Sequence, residues 1–220
     1  MKHLISLTIC LTAVAFTPAS NASLIIGPFD SASGSWTLID NGNFENGLDG
    51  WSNSTSPGNF ALDSTLFMSS SHSVRSVPNS GFDGPGFALS HSVDITGGET
   101  YVLSGFINTR DMATGNLYID MNDVAFDPNL GSGELSYNTD EWQFLYQSFL
   151  PDAGVSSLTV RLVHDSNVPS GESGYFDDIA ITPVSSFVAP TVVPEPSIST
   201  LMGAGLSLLA INGWRRRRTA

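Results

Sequence analysis

The residues best suited to chemistry in this sequence are carboxylates and aromatic rings on short segments that alternate between apolar and polar positions. In residues 175–181, period-two alternation predicts that Asp177 shares a face with Tyr175, Ile179 and Ile181. A carboxylate that faces a core is costly unless it is paired, hydrogen-bonded or bound to a cation. Asp177 is therefore the residue whose type conflicts most strongly with its predicted position on a core face.

A second group combines aromatic rings with hydrogen-bonding side chains on three other alternating segments, 101–108, 116–124 and 157–164. Sugar sites combine flat aromatic surfaces with a few polar groups. Two rings beside amide and charged groups predict a ligand site opposite the core. The alternative is that the two rings pack under a loop. The predicted ligand-binding residues are Phe106, Asn108, Tyr118, Asp120 and Arg161.

No motif in the sequence indicates catalysis. It contains no Gly-x-Ser-x-Gly, no His-Glu-x-x-His and no phosphate-binding loop. His72, His91 and His164 are isolated on predicted strands, where a structural role is more common. We therefore expect a protein that is not an enzyme.

The elements that must position these residues are short strands. Between residues 23 and 182 the sequence has no helical periodicity of useful length, and Gly, Pro, Asn, Asp and Ser interrupt its alternating runs. This pattern predicts an all-β domain, a β-sandwich or jelly roll. The predicted strands are 36–40, 59–68, 72–77, 86–95, 100–108, 116–124, 142–150, 157–164 and 174–182.

The charge of the domain excludes one class of partner. Charged residues make up 13% of the 220 residues, and the formal net charge is −13. From residue 23 to residue 194 there are 3 arginines and 20 acidic residues, a balance of −17. Phosphate binding requires Lys and Arg, so we expect no nucleic-acid partner. Acidity also keeps an exported protein soluble.

Residues 1–22 resemble a secretory signal peptide. Lys2 begins it, residues 4–16 are apolar, and Ser20 and Ala22 place small residues at a cleavage site before Ser23. The one cysteine, Cys10, lies inside this segment. Its removal would leave a mature chain without disulfides or thiol chemistry.

The end of the chain combines three parts in a fixed order. Pro194, Glu195 and Pro196 precede residues 197–214, which carry no charge, and Arg215 and its three successors follow. An uncharged run of this length suits a membrane-spanning helix, with the arginines on the cytoplasmic side. Residues 193–218 thus resemble a PEP-CTERM sorting tail. Residues 183–192, which contain two prolines, are expected to be a linker.

The PEP-CTERM resemblance implies an exosortase partner that removes the helix and arginines near Pro194, Glu195 and Pro196. It also implies a Gram-negative bacterium that makes exopolysaccharide. The protein would be anchored transiently in the inner membrane and then placed at the cell surface or in the extracellular matrix.

The domain resembles carbohydrate-binding modules of the family 4 and family 9 type, galactose-binding-like jelly rolls. The segments that carry this resemblance are 43–51, 97–104, 141–142, 157–162 and 175–179. It implies a structural calcium held by Glu45 and Asp177. The alternative for Asp177 is that it accepts backbone hydrogen bonds. For function, the alternatives are non-catalytic polysaccharide binding and a structural matrix or adhesion protein that binds no sugar.

Overall fold

The described part of the protein folds into two main antiparallel β-sheets and a separate antiparallel pair of short strands. A computed structural model describes residues 23–26, 29–30, 33–53, 60–69, 71–76, 87–113, 117–122, 130–131, 135–164 and 172–192. The twelve strands of this part are β1 (Ser23–Ile26), β2 (Phe29–Asp30), β3 (Ser52–Asn53), β4 (Phe60–Asp63), β5 (Ser73–Ser76), β6 (Phe87–Asp94), β7 (Tyr101–Asp111), β8 (Leu117–Asn122), β9 (Gln143–Phe149), β10 (Ser157–His164), β11 (Ser173–Pro183) and β12 (Thr191–Val192).

The strands pair in two main sheets. One has six strands in the order β1-β9-β7-β11-β5-β4, and the other has four in the order β3-β6-β10-β8. Strands β2 and β12 form a separate antiparallel pair. The described residues thus confirm the predicted all-β sandwich.

The main core lies between the two sheets. Period-two alternation buries Ile119 on β8 and Leu162 on β10 completely, as the sequence predicts. Packing is tight around Gly105 of β7, where an added Cβ would lie 2.6 Å from Cδ1 of Ile119 on the opposite sheet and 2.8 Å from Cδ1 of Ile179 on the neighbouring strand. Full burial of one such aliphatic side chain contributes roughly 1.5–3 kcal/mol.

Most predicted strands agree with the observed ones, but the predicted strand 59–68 is shortened to β4, Phe60–Asp63, and residues 64–68 form a loop. Strand β10 has the predicted bounds, and β7 extends three residues past the predicted end at residue 108, to Asp111. Residues 36–40 form no strand, although Leu38 makes an isolated bridge with Ala180. The four strands that the sequence does not predict are β1, β2, β3 and β12, each of two to four residues, because such short runs carry too little alternation.

Residues 183–192, expected to be a linker, lie against the domain. The N–H of Val184 donates to the carbonyl of Thr100 at 3.0 Å, and Val188 exchanges two 2.8 Å backbone hydrogen bonds with Ser35. The last two residues are strand β12. Proline content indicated a linker, but apolar side chains between the prolines provide a packed surface. We call residues 29–30, 33–38 and 184–192 the terminal ribbon.

The terminal ribbon covers the outer face of the six-stranded sheet. Phe29 meets Phe106 edge-on at 5.1 Å between ring centroids, and Phe187 is parallel to Phe144 at 6.5 Å. Trp36 lies 5.6 Å from Phe144. These rings form a second apolar layer, the aromatic cluster, in which each such contact adds about 0.5–1.5 kcal/mol beyond burial. A sheet face that alternation leaves outside is thereby buried.

A β-bulge in β11 corrects the predicted orientation of Asp177. Asp177 pairs with Phe106 and Ala180 pairs with Ser104, so β11 has one residue more than β7 in this interval. The extra residue is at Asp178, which has a positive φ of 49°. Alternation is therefore interrupted, and Asp177 faces the aromatic cluster while Ile179 faces the main core.

Two predicted segments lie outside the described residues: the signal peptide 1–22 and the sorting tail 193–218 with its helix 197–214. Within the described part of the chain, no helix has the length and apolar character needed to cross a membrane.

Candidate functional site

The predicted ligand-binding residues fall on two different sheets. Phe106 and Asn108 lie on β7 of the six-stranded sheet, whereas Tyr118 and Asp120 lie on β8 and Arg161 on β10 of the four-stranded sheet. The outer faces of the two sheets point in opposite directions, so the five residues do not form one site.

Phe106 and Asn108 have structural roles. The Phe106 side chain is completely buried, with its ring centroid 4.7 Å from that of Phe144. Asn108 is also completely buried; its side-chain amide donates to the carbonyl of Asp140 at 3.0 Å and its Oδ1 accepts the N–H of Arg110 at 2.9 Å. The alternative in which Phe106 packs beneath covering chain is therefore correct for this residue.

The other three predicted residues lie together. Asp120 pairs directly with Arg161, and Tyr118 is two residues away on β8. The guanidinium of Arg161 binds the carboxylate through two bonds, Nε to Oδ1 at 2.7 Å and Nη2 to Oδ2 at 2.5 Å. Tyr118 is half-buried, and because Leu117 and Ile119 face the core it points outward. This arrangement fixes a planar charged pair beside an aromatic ring.

Hydroxyl groups extend this surface across the sheet. Register places Ser90 beside Arg161 and Ser92 beside Thr159 on the outward side of β6 and β10. We call Ser90, Ser92, Tyr118, Asp120, Thr159 and Arg161 the outer polar face. Sequence reasoning missed the three hydroxyl residues, although the outward positions of alternating strands would have identified them. Asp120 is buried beside Arg161 and compensates its charge, so the groups that this face offers to a ligand are the three hydroxyls, the Arg161 guanidinium and the Tyr118 ring.

Glu45, the first predicted calcium ligand, is held by the loop between β4 and β5. Its Oε1 accepts the N–H groups of Ser71 at 2.9 Å and His72 at 2.8 Å, and its Oε2 accepts the Ser71 hydroxyl at 2.6 Å. These bonds, led by that from the Ser71 side chain, lower the pKa of Glu45 to about 2. Glu45 is therefore ionised in any ordinary buffer.

Asp177, the second predicted ligand, is completely buried beneath the same loop. Its Oδ2 accepts the N–H groups of Met68 at 2.7 Å and Ser69 at 3.2 Å, and its Oδ1 accepts that of Asp178 at 2.8 Å. Burial and then the neighbouring Asp178 raise the pKa of Asp177 to about 8, despite these bonds. The carboxylate thus fastens the loop to β11.

Asp178 completes a group of three carboxylates around this loop. The Ser69 hydroxyl donates to its Oδ1 at 2.7 Å. Burial raises the pKa of Asp178, and the charge of Glu45 raises it further. Sequence reasoning did not assign Asp178 a role, because alternation alone does not show where a bulge occurs.

The geometry satisfies Asp177 without calcium. N–H and O–H donors already occupy the carboxylate oxygens of Glu45 and Asp177 that a calcium ion would use as ligands. In the described residues, no set of three or more His, Asp, Glu or Cys side chains is placed to hold a metal ion. Asp177 accepts backbone hydrogen bonds, as the alternative predicted. Calcium binding by Glu45 and Asp177 stays a prediction.

The histidines contact structural groups. His91 Nδ1 lies 2.8 Å from the carbonyl of Gly50, and His164 Nδ1 lies 2.7 Å from the Ser76 hydroxyl. Ser76 and His164 are both completely buried, and the Ser76 hydroxyl also contacts the backbone of Gly174. Burial closes this serine–histidine pair to substrate.

Several solved structures share the fold. TmCBM61, solved in complex with β-1,4-galactotriose, is 12% identical, with a TM-score of 0.50 over 68% of this chain and 99% of its own. The Stig cyclase Fisc from Fischerella sp. TAU is 10% identical, with a TM-score of 0.52 over 68% of this chain and 98% of its own. Arabinose-bound MgGH51 α-L-arabinofuranosidase is 17% identical, with a TM-score of 0.51 over 70% of this chain and 27% of its own.

At such identities the likeness shows the fold alone, a jelly-roll β-sandwich. The same architecture occurs in a carbohydrate-binding module and in enzymes, so function must be argued from the site. No protein-family model matches the sequence, and the search of curated proteins gives no match.

Proposed function

We propose that this chain is an exported, non-catalytic polysaccharide-binding protein that holds sugar on its outer polar face. The observation that carries the proposal is Tyr118 beside the bidentate Asp120–Arg161 pair on an outward sheet face. The ring supplies stacking surface, and the partly exposed guanidinium of Arg161, fixed by the buried Asp120, supplies oriented donors for sugar hydroxyls.

The likeness to TmCBM61 supports the same class of ligand, because that protein was solved with an oligosaccharide bound. Charge narrows the class further. The region from residue 23 to residue 194 carries a balance of −17, from 3 arginines and 20 acidic residues. Like charges repel, so the ligand we expect is a neutral polysaccharide.

The test is binding of the domain to a panel of neutral and acidic polysaccharides by affinity gel electrophoresis or a glycan array. The fragment must run from Ser23 to Val192, because residues 184–192 cover the aromatic cluster. A shallow site predicts dissociation constants of about 10–1000 μM, or roughly −7 to −4 kcal/mol. Retardation by no polysaccharide would contradict the proposal.

A structural matrix or adhesion protein is the second candidate. The observation that favours it is the aromatic cluster, which is covered by the terminal ribbon and unavailable for stacking. Tyr118 is then the one aromatic residue on the outer polar face, and a single ring gives limited stacking surface. Folding of the Ser23–Val192 fragment without polysaccharide binding would select this candidate.

The same proposal includes the cellular location of the protein. Signal removal after Ala22 and exosortase processing near Pro194, Glu195 and Pro196 would export the chain and anchor it transiently in the inner membrane. Its destination would be the surface or exopolysaccharide matrix of a Gram-negative bacterium. A tail of this composition supports the proposal because its uncharged run precedes four arginines.

A further inference from the structure

We propose that the terminal ribbon is the membrane-facing side of the domain, so that a tail-anchored chain presents its outer polar face away from the lipid. This inference rests on the proposed function of residues 197–214 as an anchor. It concerns an interaction surface, the ribbon, and its partner is a lipid bilayer.

The first observation is the position of Val192, the last described residue before the tail. Residues 191–192 are strand β12, which pairs with Phe29 and Asp30 of β2. The N–H of Thr191 also donates to the Ser33 hydroxyl at 2.8 Å. The chain therefore enters the tail from the ribbon, on the outer side of the six-stranded sheet.

The length of the remaining connection is the second step. Because residues 183–192 pack on the domain, just residues 193–196, Val-Pro-Glu-Pro, separate it from the uncharged run that begins at residue 197. Four residues of Pro-rich chain span about 12 Å. A domain of this size has a radius of gyration of about 15 Å, so this connection is too short for the domain to turn over.

The charge of the ribbon is the third and independent step. Asp30 is its one charged residue, whereas the region from residue 23 to residue 194 contains 20 acidic residues. Anionic headgroups repel acidic surfaces, so an uncharged side is the side that can approach a bilayer. Val188 and Val192 are 51% and 39% exposed on this ribbon, and such apolar groups are compatible with a headgroup region.

The opposite orientation of the sugar face follows from the sandwich. The ribbon lies outside the six-stranded sheet, and Tyr118 lies outside the four-stranded sheet. Packed layers are about 10 Å apart, so the two surfaces are separated by roughly 20 Å or more. A polysaccharide strand could then reach the outer polar face without crossing the lipid surface.

The test uses energy transfer from single-cysteine labels to acceptor lipids. The mature chain, residues 23–220, contains no cysteine because Cys10 lies in the predicted signal peptide, and it is placed with its tail in vesicles of phosphatidylethanolamine and phosphatidylglycerol. One variant has Val188→Cys on the ribbon, and its matched control has Ser92→Cys on the outer polar face. Both sites are exposed, and equal melting temperatures would show that the labels leave the fold intact.

We expect higher transfer efficiency from position 188 than from position 92, and loss of transfer from both when residues 197–220 are deleted. Equal transfer, or higher transfer from position 92, would overturn the inference. Transfer from neither label would also overturn it, because the tail would then not anchor the domain. Sugar binding is measured separately on the Ser23–Val192 fragment, so its failure is distinguishable from these outcomes.

Discussion

Individual side chains take their roles from the sheet on which they lie. Phe106 and Tyr118 both alternate away from core residues in the sequence, yet Phe106 is completely buried and Tyr118 is half-exposed. The difference comes from the terminal ribbon, which covers one sheet. Replacements at these positions therefore have different expected effects.

Tyr118→Ala should weaken polysaccharide binding by about tenfold, or ~1.4 kcal/mol, because it removes the ring beside the Asp120–Arg161 pair. The melting temperature should change little. Phe67→Ala, which removes an exposed ring in the β4–β5 loop, is the matched control and should leave binding unchanged. Affinity electrophoresis and thermal unfolding measure the two effects. Unfolding of Tyr118→Ala would show that this ring is structural.

Asp63, the last residue of β4, makes the stability of the folded protein depend on pH. Burial raises the pKa of Asp63. Hydrogen bonds from the Thr65 hydroxyl and from the N–H groups of Thr65 and Leu66 lower it, as does the charge of Arg75. The lowering effects are larger, so the pKa lies below the ordinary value of 3.8. A lowered folded-state pKa contributes stability above the unfolded-state pKa, and this stability is lost as the pH falls through the folded-state value.

Asp63→Asn should therefore lower the free energy of unfolding at pH 7 by roughly 1–2 kcal/mol, since bonds to an ionised acceptor are lost. The difference from wild type should shrink as the pH falls from 3.8 through the lowered pKa of folded Asp63, because the wild-type carboxylate becomes protonated over this interval. Urea unfolding at several pH values measures it, with the exposed Asp152→Asn as control. A difference that persists at low pH would contradict the assignment.

A separate prediction concerns calcium binding by Glu45 and Asp177. Ligand binding to the folded state raises stability by mass action, so a chelator should lower the melting temperature if calcium is bound. Asp177→Ala should remove this response. An unchanged melting temperature with chelator would leave the N–H groups of Met68, Ser69 and Asp178 as the groups that satisfy the carboxylate.

At the scale of elements, the bulge in β11 decides which residues meet the core. One additional residue at Asp178 places Asp177 outward and Ile179 inward, and the same interruption brings two carboxylates to the β4–β5 loop. The loop is thereby fastened to the sheet by side chains rather than by strand pairing.

Replacement of Asp178 should test the backbone at the bulge. Its φ of 49° lies in the left-handed region, which Asn tolerates and a β-branched residue does not. Asp178→Val should be less stable than Asp178→Asn by about 1–2 kcal/mol. Denaturant unfolding of the two variants gives the comparison, and equal stabilities would show that the strand relaxes at no cost.

At the scale of the whole molecule, the two ends of the domain meet in one ribbon. Ser35 and Val188 are 153 positions apart in the chain and exchange backbone hydrogen bonds. Closing a loop of this length has an entropic cost that grows slowly with length, and burial of the aromatic cluster offsets it. The tail therefore leaves the domain from a defined side.

The arginines of the tail should set the orientation of the anchor. If residues 197–214 anchor the chain as proposed, replacement of Arg215 to Arg218 by glutamates removes the positive charge that favours the cytoplasmic side, so surface display should fall. Cell fractionation and protease accessibility, in a strain with an intact exosortase, measure this. Replacement by lysines is the matched control and should preserve display. Unchanged display of the glutamate variant would exclude the sorting role.

The sequence by itself determined the fold class and most strands of the sandwich. Alternation is a local property, and on β8 and β10 it identified the core residues Ile119 and Leu162 correctly. It also identified Tyr118, Asp120 and Arg161 as outward residues, because β8 and β10 pair without a bulge.

The tertiary structure alone decided which outward faces stay outside. Phe106 is buried because residues distant in sequence, Phe29 and Phe187, pack across its sheet, and no local pattern contains that contact. Asp177 turned outward because one inserted residue at Asp178 reverses the alternation that follows. Strand periodicity specifies two faces, but only long-range packing and register specify which face meets solvent.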